Sequence, residues 1–563
     1  RNNHHQQQQE QQQEQQQKQQ QQQNQPMTIN LADIDESDMD KIWAKEQYEI
    51  HHTEREAILY EIHGVKSRYN VEELEGDPER VKQAFIDFEN LLTSENNNNN
   101  SSDGHNNNTN NDYTCTEITP QLKHNYHYAI NQLKSSYVCH QDFRIKFLRC
   151  EFFHIKKAVV RFLHYINIMK EYFGDTALLR QLFFSDLNNH EQKIVKAGLL
   201  QITPSKDALG RRTIVSLLSF LGDGTYQCTR AQEIPTFEFR QVCRIALYLR
   251  FQVLSEDIPT QRNGIVAINY INSRLSISQG MLASNQKRSL MLDFFRKAKA
   301  SCPLRTSAFH LCFSDVNKLT IQFFKPLMMA IWGEAGRNVL RIHAGKTLME
   351  CNYSLQSFGI KVNDIPITYT GIPKRQMNNR FIKYRQAKDM HTEKAAFSLL
   401  GMEPTKKMDE YRKQYDEKTN KIESFPYIDC PDENCVLFRK NGIAWNYPGN
   451  VKFREVLHHQ YYGTTDPHLD STGNNIQIGM KGWKKKKRKQ AIEQVIEKSY
   501  EKGYQFLLYD EGNHWYRELK DDDDGIDCGS KNNQLRTNVE KAMIYYKRRI
   551  EKATATATAT ATA

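Results

Sequence analysis

Residues 302–315 read CPLRTSAFHLCFSD, and this stretch decides the fold class. It begins with a Pro and an Arg among small residues and then runs as mostly apolar residues around a histidine. A near-continuous apolar run of this length is typical of a strand that is buried on both faces of a parallel sheet. A buried strand rarely accommodates a charge. Arg305 is therefore a candidate for a special role, and we interpret His310, like His343 further on, as a hydrogen-bonded histidine of the core or its rim.

The neighbouring stretches alternate between helical and strand-like patterns. Apolar residues follow helical spacing at 237–254, 289–301 and 318–333. Short β-rich runs occur at 210–220, 263–272 and 337–345. Strands that alternate with helices predict a parallel or mixed sheet and hence an α/β fold. Upstream, residues 142–173 predict two amphipathic helices with basic outer faces, which would form a helical packing layer.

Three segments are predicted to be disordered, because their composition cannot bury enough apolar surface to offset the entropy of ordering. They are the Gln-rich residues 1–26, the Asn/Ser-rich residues 96–112 and the alternating Ala and Thr of 553–563. Met27 follows the Gln tract and is a candidate for the start of the protein. Residues 27–95 are acidic and predict no more than two short helices.

Charge and cysteine usage narrow the class of protein. The chain has 77 Lys and Arg against 67 Asp and Glu, a net charge of +10 over 563 residues. This mild excess is compatible with anionic partners but is far from a histone-like balance. The eleven cysteines include no CxxC pair, which argues against zinc and favours reduced thiols in the cytosol or nucleus. The sequence predicts neither a membrane span nor secretion.

The helix predicted at 318–333 is apolar on almost every side. Such a helix either lies deep in the core or faces something apolar that is not protein, and its spacing leaves both interpretations open. Arg305, Arg337 and Arg341 lie nearby in the sequence. Their guanidinium groups suit phosphate, or they are solvated rim residues. No hydrolase elbow, Walker loop, HExxH or GxGxxG lies in a fitting context, so the sequence predicts no enzyme, cofactor or metal.

Five pieces in order resemble the CRAL-TRIO family of lipid-transfer proteins, which includes the yeast phosphatidylinositol-transfer protein and the tocopherol and retinaldehyde carriers. DFRIKFLRCEFFHIKKAV resembles the start of the family's helical region, and NGIVAI resembles a strand of its lipid domain. CPLRTSAFHLCFSD resembles the "PLR–x–x–x–x–H" strand. FFKPLMMAIWGEAGRNVLRIHAG resembles the gate helix with its following "RIHxHG" strand, and SLQSFGIKVNDIPITYTG resembles the terminal segment. The resemblance covers about 142–373.

The resemblance implies a sheet floor and a mobile gate helix that enclose one hydrophobic lipid for exchange between membranes, without chemistry. Arg305, Arg337 and Arg341 match basic positions that meet phosphoinositide headgroups in the tocopherol-carrier branch. A fourth such position is Ser307 here, and Leu304 replaces a Glu of the phosphatidylinositol-transfer branch. The resemblance therefore does not identify the lipid that is bound. The implied pocket and gate residues are Phe309, Leu311, Phe313, Phe323, Phe324, Leu327, Met328, Ile331 and Trp332.

The last folded block, at about 427–552, is predicted to be a small α+β unit with a hairpin around residues 510–513. ENCVLFRKNGIAWNYPGNVKFREVL resembles the opening of a domain that is frequent in diatom proteins and has no assigned function. Six consecutive basic residues form a patch, Lys484, Lys485, Lys486, Lys487, Arg488 and Lys489. This patch could contact an anionic membrane, direct the protein to the nucleus or bind nucleic acid, or begin a solvated helix.

The predicted organisation has six parts. They are a mostly disordered region (1–112), a CRAL-TRIO helical region (115–205), a lipid-binding domain (206–375), a charged linker (376–426), the C-terminal unit (427–552) and a disordered tail (553–563). We expect a non-catalytic lipid-binding and transfer protein that is cytoplasmic and peripheral on anionic membranes. The alternative is a lipid-sensing adaptor, with the nucleus as a further location, whose C-terminal unit binds a protein partner or nucleic acid.

Overall fold

The computed structural model describes eleven stretches of the chain and the single positions 325, 329 and 332. The stretches are 36–94, 118–217, 238–272, 285–314, 336–368, 371–400, 427–440, 442–462, 485–512, 515–519 and 532–562. The described residues form a mixed α/β fold with two five-stranded sheets, which confirms the predicted class.

Helices precede the first strand. They are α1 (Glu36–Glu49), α2 (His52–Ile62), α3 (Val71–Glu75), α4 (Pro78–Thr93), α5 (Pro120–Asn131), α6 (Gln141–Cys150), α7 (Ile155–Phe173), α8 (Thr176–Leu179) and α9 (Asn189–Ala197). α6 and α7 are the two helices predicted within 142–173, and they are separated where Phe152 and Phe153 take φ angles of 52° and 63°. α1 to α4 lie in the region that was expected to be mostly disordered.

The first sheet contains β1 (Leu200–Ile202), β2 (Thr213–Ser216), β3 (Ile265–Asn272), β4 (Thr306–Ser314) and β5 (Leu340–Gly345), paired in that order. β1 is antiparallel to β2, and the other pairs are parallel. The helices between and after these strands are α10 (Phe239–Leu247), α11 (Ile258–Asn263), α12 (Asn285–Ser301), α13 (Leu348–Gln356) and α14 (Arg375–Leu400). The alternation of helices with parallel strands is the one that the sequence predicted.

Each face of this sheet has its own apolar core because side chains alternate along a strand. Phe309, Leu311 and Phe313 of β4 join the core shared with α4 to α7. Ala308 and Cys312 of the same strand join the opposite core. That second core also contains residues of α2 and α13. The N-terminal helix α2 is therefore part of the sheet's packing rather than an appendage.

The second sheet belongs to the C-terminal unit. It pairs β6 (Tyr427–Ile428), β10 (Trp515–Glu518), β9 (Gln505–Asp510), β7 (Cys435–Arg439) and β8 (Gly442–Ile443) in that order. β9 and β10 are antiparallel, which confirms the predicted hairpin. α15 (Pro448–Tyr462), α16 (Lys485–Glu501) and α17 (Asn532–Thr562) cover one face.

α17 continues through the Ala/Thr segment that was expected to be disordered. Leu535, Val539 and Met543 pack into the core and pay the entropic cost of starting the helix. Extension over alternating Ala and Thr then requires little additional ordering per residue. The composition of the tail did not reveal this, because the helix is nucleated upstream of it.

Candidate ligand-binding site

The predicted floor of the lipid cavity is an apolar stripe on β4. Phe309, Leu311 and Phe313 are buried on the same face of the sheet. The ring of Trp332 lies 4.4 Å from that of Phe309, centroid to centroid, and Met329 is buried in the same core. The other predicted gate residues lie outside the described residues: Phe323, Phe324, Leu327, Met328 and Ile331. Of the described positions in this segment, Trp332 thus packs on the stripe.

Arg305 lies directly before β4 and is neutralised by a carboxylate from α2. Its Nη1 donates to Glu61 Oε1 at 2.6 Å, and its Nη2 donates to Ser67 Oγ at 3.2 Å and to the carbonyl of Asn263 at 3.1 Å. Glu61 is buried, and its Oε2 also forms an ion pair with Nε of Arg68 at 3.4 Å. Both Nη atoms of Arg305 therefore have hydrogen-bond partners. A phosphate headgroup could bind Arg305 only by displacing the buried carboxylate of Glu61.

Arg337 lies just before β5 and is paired with a carboxylate from α1. Its Nε donates to Glu46 Oε2 at 2.7 Å, and its Nη1 donates to the carbonyl of Met329 at 3.0 Å. β4 and β5 are parallel neighbours, so Arg305 and Arg337 both lie at the end of the sheet where these strands begin. Two of the three predicted headgroup arginines therefore precede neighbouring strands, each with its own carboxylate partner.

Arg341 lies elsewhere. It is the second residue of β5 and shares a face with His343, opposite to Leu340 and Ile342, which pack on the floor side. It donates to the carbonyls of Asn338 and Leu340 at 3.1 and 2.7 Å. Burial lowers the pKa of Arg341. The expectation of one rim with three arginines thus requires correction, because strand alternation turns Arg341 to the other face.

His310, His343 and Ser354 form a row on the face opposite to the floor. Nδ1 of His310 is 3.0 Å from Nε2 of His343, and Nδ1 of His343 contacts Ser354 Oγ. This confirms both histidines as hydrogen-bonded residues. Burial and the charge of Arg341 lower the pKa of His343 to about 4, and burial together with His343 and nearby arginines lowers the pKa of His310 well below its usual value. Both rings are therefore neutral at pH 7.

Sequence reasoning missed Ser354, because it is eleven residues from His343 and lies on a different element. A serine that contacts a histidine resembles a nucleophile with its base. Ser354, however, lies in the last turn of α13, where the carbonyl end of the helix dipole disfavours a developing oxyanion. The row is suited to holding α13 on the sheet.

A cavity of about 270 Å³ lies between the first sheet's domain and the C-terminal unit. Four Lys or Arg side chains and four Asp or Glu side chains line it, so it has no net charge. Arg212 crosses the boundary to Asp429 at 3.0 Å, and the hydroxyl of Tyr384 donates to the carbonyl of Tyr427 at 3.1 Å. These contacts make the cavity part of an interface between the two units.

The basic patch begins α16. Lys484 lies outside the described residues, and the side chains of Lys485, Lys486 and Lys487 are not described. Arg488 pairs with Glu540 of α17 at 2.5 Å, and Lys489 lies 3.9 Å from Glu493 one turn further on. The two described members thus contact acidic side chains of the same unit.

The NYPGN motif of the C-terminal unit holds a helix against the sheet. Asn450 is buried, accepts from the amide of Leu437 and donates to the carbonyls of Leu437 and Ala444. A Cβ at Gly449 would lie 2.1 Å from the carbonyl oxygen of Cys435. The hydroxyl of Tyr447 lies 2.8 Å from each of the carbonyls of Pro431 and Asp432. These residues therefore serve packing.

Comparison of the sequence with known protein families and with curated proteins adds no functional assignment to this geometry. No protein-family model and no curated protein matches the chain. Within the described residues, no group of three or more His, Cys, Asp or Glu side chains could hold a metal ion. No helix in the described part of the chain has the length and apolar character needed to cross a bilayer.

Proposed function

We propose that this protein binds a hydrophobic lipid on the floor side of the first sheet and transfers it between membranes without chemistry. The observation that supports the proposal is the apolar stripe of β4, with Trp332 packed on Phe309. An indole over such a stripe is a removable apolar cover, and each methylene buried beneath it would contribute about 0.8 kcal/mol. The CRAL-TRIO resemblance implies the same arrangement.

The test uses the full chain and a matched pair of tryptophan variants. Trp332→Ala should lower the lipid recovered with the purified protein, measured by native mass spectrometry, by about tenfold, which corresponds to a loss of about 1.4 kcal/mol of the indole's apolar contact. It should also slow transfer of fluorescent phosphatidylcholine between vesicles. Trp445→Ala removes an equally half-buried indole in the C-terminal unit and should change neither. If the wild-type chain carries no lipid and transfers none, the proposal is wrong.

A second candidate function is a lipid-sensing adaptor whose C-terminal unit binds nucleic acid. The face of the second sheet opposite to its helices carries Tyr509 and Tyr516, with ring centroids 5.1 Å apart, and Arg439 lies over Tyr509 at 6.0 Å. Aromatic rings beside a guanidinium are a platform on which bases can stack. Fluorescence anisotropy with a single-stranded oligonucleotide tests this candidate, since Tyr509→Ala should abolish any binding.

A further inference from the structure

The cavity of about 270 Å³ between the two units is enclosed by segments from both of them. The first sheet's domain supplies the loop between β1 and β2, positions within 253–259 and α14, and the C-terminal unit supplies the loop between β6 and β7. Boundaries between domains are common places for ligand sites, and this volume suits a small molecule. The floor residues Phe309, Leu311 and Phe313 do not line it, so a ligand here is separate from the proposed lipid.

Two cations in the cavity wall have N–H donors that their ion pairs leave unused. The ammonium of Lys206 carries three donors and lies 2.8 Å from Asp257, its one ion-pair partner among the described residues, and the side chain is only 8% exposed. The Nη atoms of Arg212 donate to Asp429, whereas its Nε is buried without a hydrogen-bond partner in the part of the chain that the structure describes. Because a buried donor without an acceptor is destabilising, these groups favour a ligand that brings acceptor oxygens.

One carboxylate of the same cavity has no cationic partner among the described residues. The other three acidic residues of the lining form ion pairs with its four cations. Asp432, in contrast, accepts from neutral donors at Oδ1, the amide of Asn434 at 2.9 Å and the thiol of Cys435 at 3.3 Å. Its Oδ2 is therefore available to a cationic group of a ligand.

The thiol of Cys435 shows that Lys206 and Asp432 act on the same part of the cavity. Burial raises the pKa of this thiol, as does Asp432, whereas the charge of Lys206 opposes the rise. A charge has such an effect only at short range in a protein. The remaining wall is apolar and includes Val253, Leu254, Phe381 and Ile428.

We propose that this cavity binds a free amino acid with an apolar side chain. The carboxylate of the ligand accepts from Lys206 and Arg212, its ammonium donates to Asp432, and its side chain lies against the apolar wall. A zwitterion keeps the cavity neutral, because the four cations and four carboxylates of the lining already balance. Since both units supply residues to the site, the bound amino acid also strengthens the contact between them.

Three probes that differ in the charged groups they carry test this proposal on the full chain. Leucine has both groups, isocaproate lacks the ammonium and isoamylamine lacks the carboxylate. Equilibrium dialysis should show that leucine binds at least about tenfold more tightly than either analogue, because each analogue leaves one charged partner of the site unused. A mixture of the uncharged amino acids is dialysed in parallel, so that the result does not depend on the side chain of leucine.

Asp432→Asn tests recognition of the ammonium. Asparagine keeps an Oδ1 acceptor for Asn434 and Cys435 but has no charge to pair with an ammonium. Leucine binding should therefore fall at least about tenfold, to the level of isocaproate. Glu433→Gln is the control, because it makes the same change in net charge at an exposed residue that pairs with Lys452 at 3.4 Å, and it should leave leucine binding unchanged.

Three outcomes would overturn the inference. The first is that neither leucine nor the amino-acid mixture binds the wild-type chain at about 10 mM. The second is equal affinity for leucine and its two analogues, which needs no variant to observe. The third is unchanged leucine binding by an Asp432→Asn protein whose thermal unfolding matches the wild type. Lipid recovered with the wild-type chain is a separate measurement, so either result can fail without the other.

Discussion

Three arginine side chains show that tertiary contacts decide the environment of a charged group. Arg305, Arg337 and Arg341 are equivalent in the sequence as candidate phosphate ligands, yet the structure gives them three different environments. Arg305 belongs to a buried network with Glu61, Arg337 to an ion pair with the half-buried helix α1, and Arg341 donates to backbone carbonyls. Ion-pair partners 244 and 291 residues away cannot be inferred from local spacing.

The lowered pKa of His343 predicts that the free energy of unfolding falls in acid. Its pKa is about 4 in the folded protein, below the ordinary value of 6.5. The unfolded chain therefore takes up a proton first, and the stability from the neutral ring is lost as the pH falls from about 6.5 towards 4. At pH 5 the loss should be about 2 kcal/mol. Urea unfolding at pH 7.5 and pH 5 measures it.

His343→Gln should reduce the difference between the two pH values, whereas substitution of the exposed His154 by Gln should leave it unchanged. Other acid-sensitive groups cancel in this comparison because they are common to all three proteins. An equal pH dependence in wild type and His343→Gln would contradict the assignment of a buried neutral ring.

Helices and strands were the most predictable part of the molecule. The apolar runs at 263–272 and 302–315 contain β3 and β4, and residues 142–173 contain all of α7 and all but the first residue of α6. These elements follow periodicity, which is local information. α1 and the end of α17 were missed because their order depends on ion pairs or on a helix that starts elsewhere. Most of the helix expected at 318–333 lies outside the described residues.

Gly449 should tolerate no side chain. The Cβ of Gly449→Ala would lie 2.1 Å from the carbonyl oxygen of Cys435, so α15 would have to move away from β7. Such overpacking against backbone should cost about 3 kcal/mol or more. The thermal unfolding temperature of the full chain, followed by tryptophan fluorescence and near-UV circular dichroism, should shift downward.

Gly512→Ala is the control for this substitution, since its nearest neighbour would be the Asp510 carboxylate at 3.4 Å, an ordinary contact. A Gly449→Ala protein as stable as Gly512→Ala would mean that the approach of α15 to β7 is looser than the structure indicates.

The molecule as a whole is joined by ion pairs that connect distant parts of the chain. α1 and α2 reach the first sheet through Glu46 and Glu61, and the C-terminal unit reaches it through Asp429. Apolar contacts accompany the charge pairs at both junctions: Ile58 and Ile62 of α2 lie in the core behind the sheet, and the ring of Tyr384 lies 5.5 Å from that of Trp515 in the C-terminal unit.

Arg212→Met should loosen the second junction. The substitution leaves Asp429 unpaired in a partly buried position, at a cost of about 3 kcal/mol. Amide hydrogen exchange in β6 should become at least about tenfold faster. Arg517→Met removes an arginine that contacts Gln534 inside the C-terminal unit, and exchange in β6 should then stay close to the wild-type rate. Unchanged exchange in Arg212→Met would show that other contacts hold the units together.

Periodicity and composition were enough to determine the α/β class, the strand at the centre of the first sheet, the helical layer that precedes it and the apolar character of the floor. These properties depend on residues that are near one another in the chain. The tertiary structure alone decided which arginine meets which carboxylate, which face Arg341 takes and that an acidic N-terminal helix covers the sheet edge. The physical reason is that ion pairing and burial depend on distance in space, and the parallel sheet brings together side chains that are hundreds of residues apart.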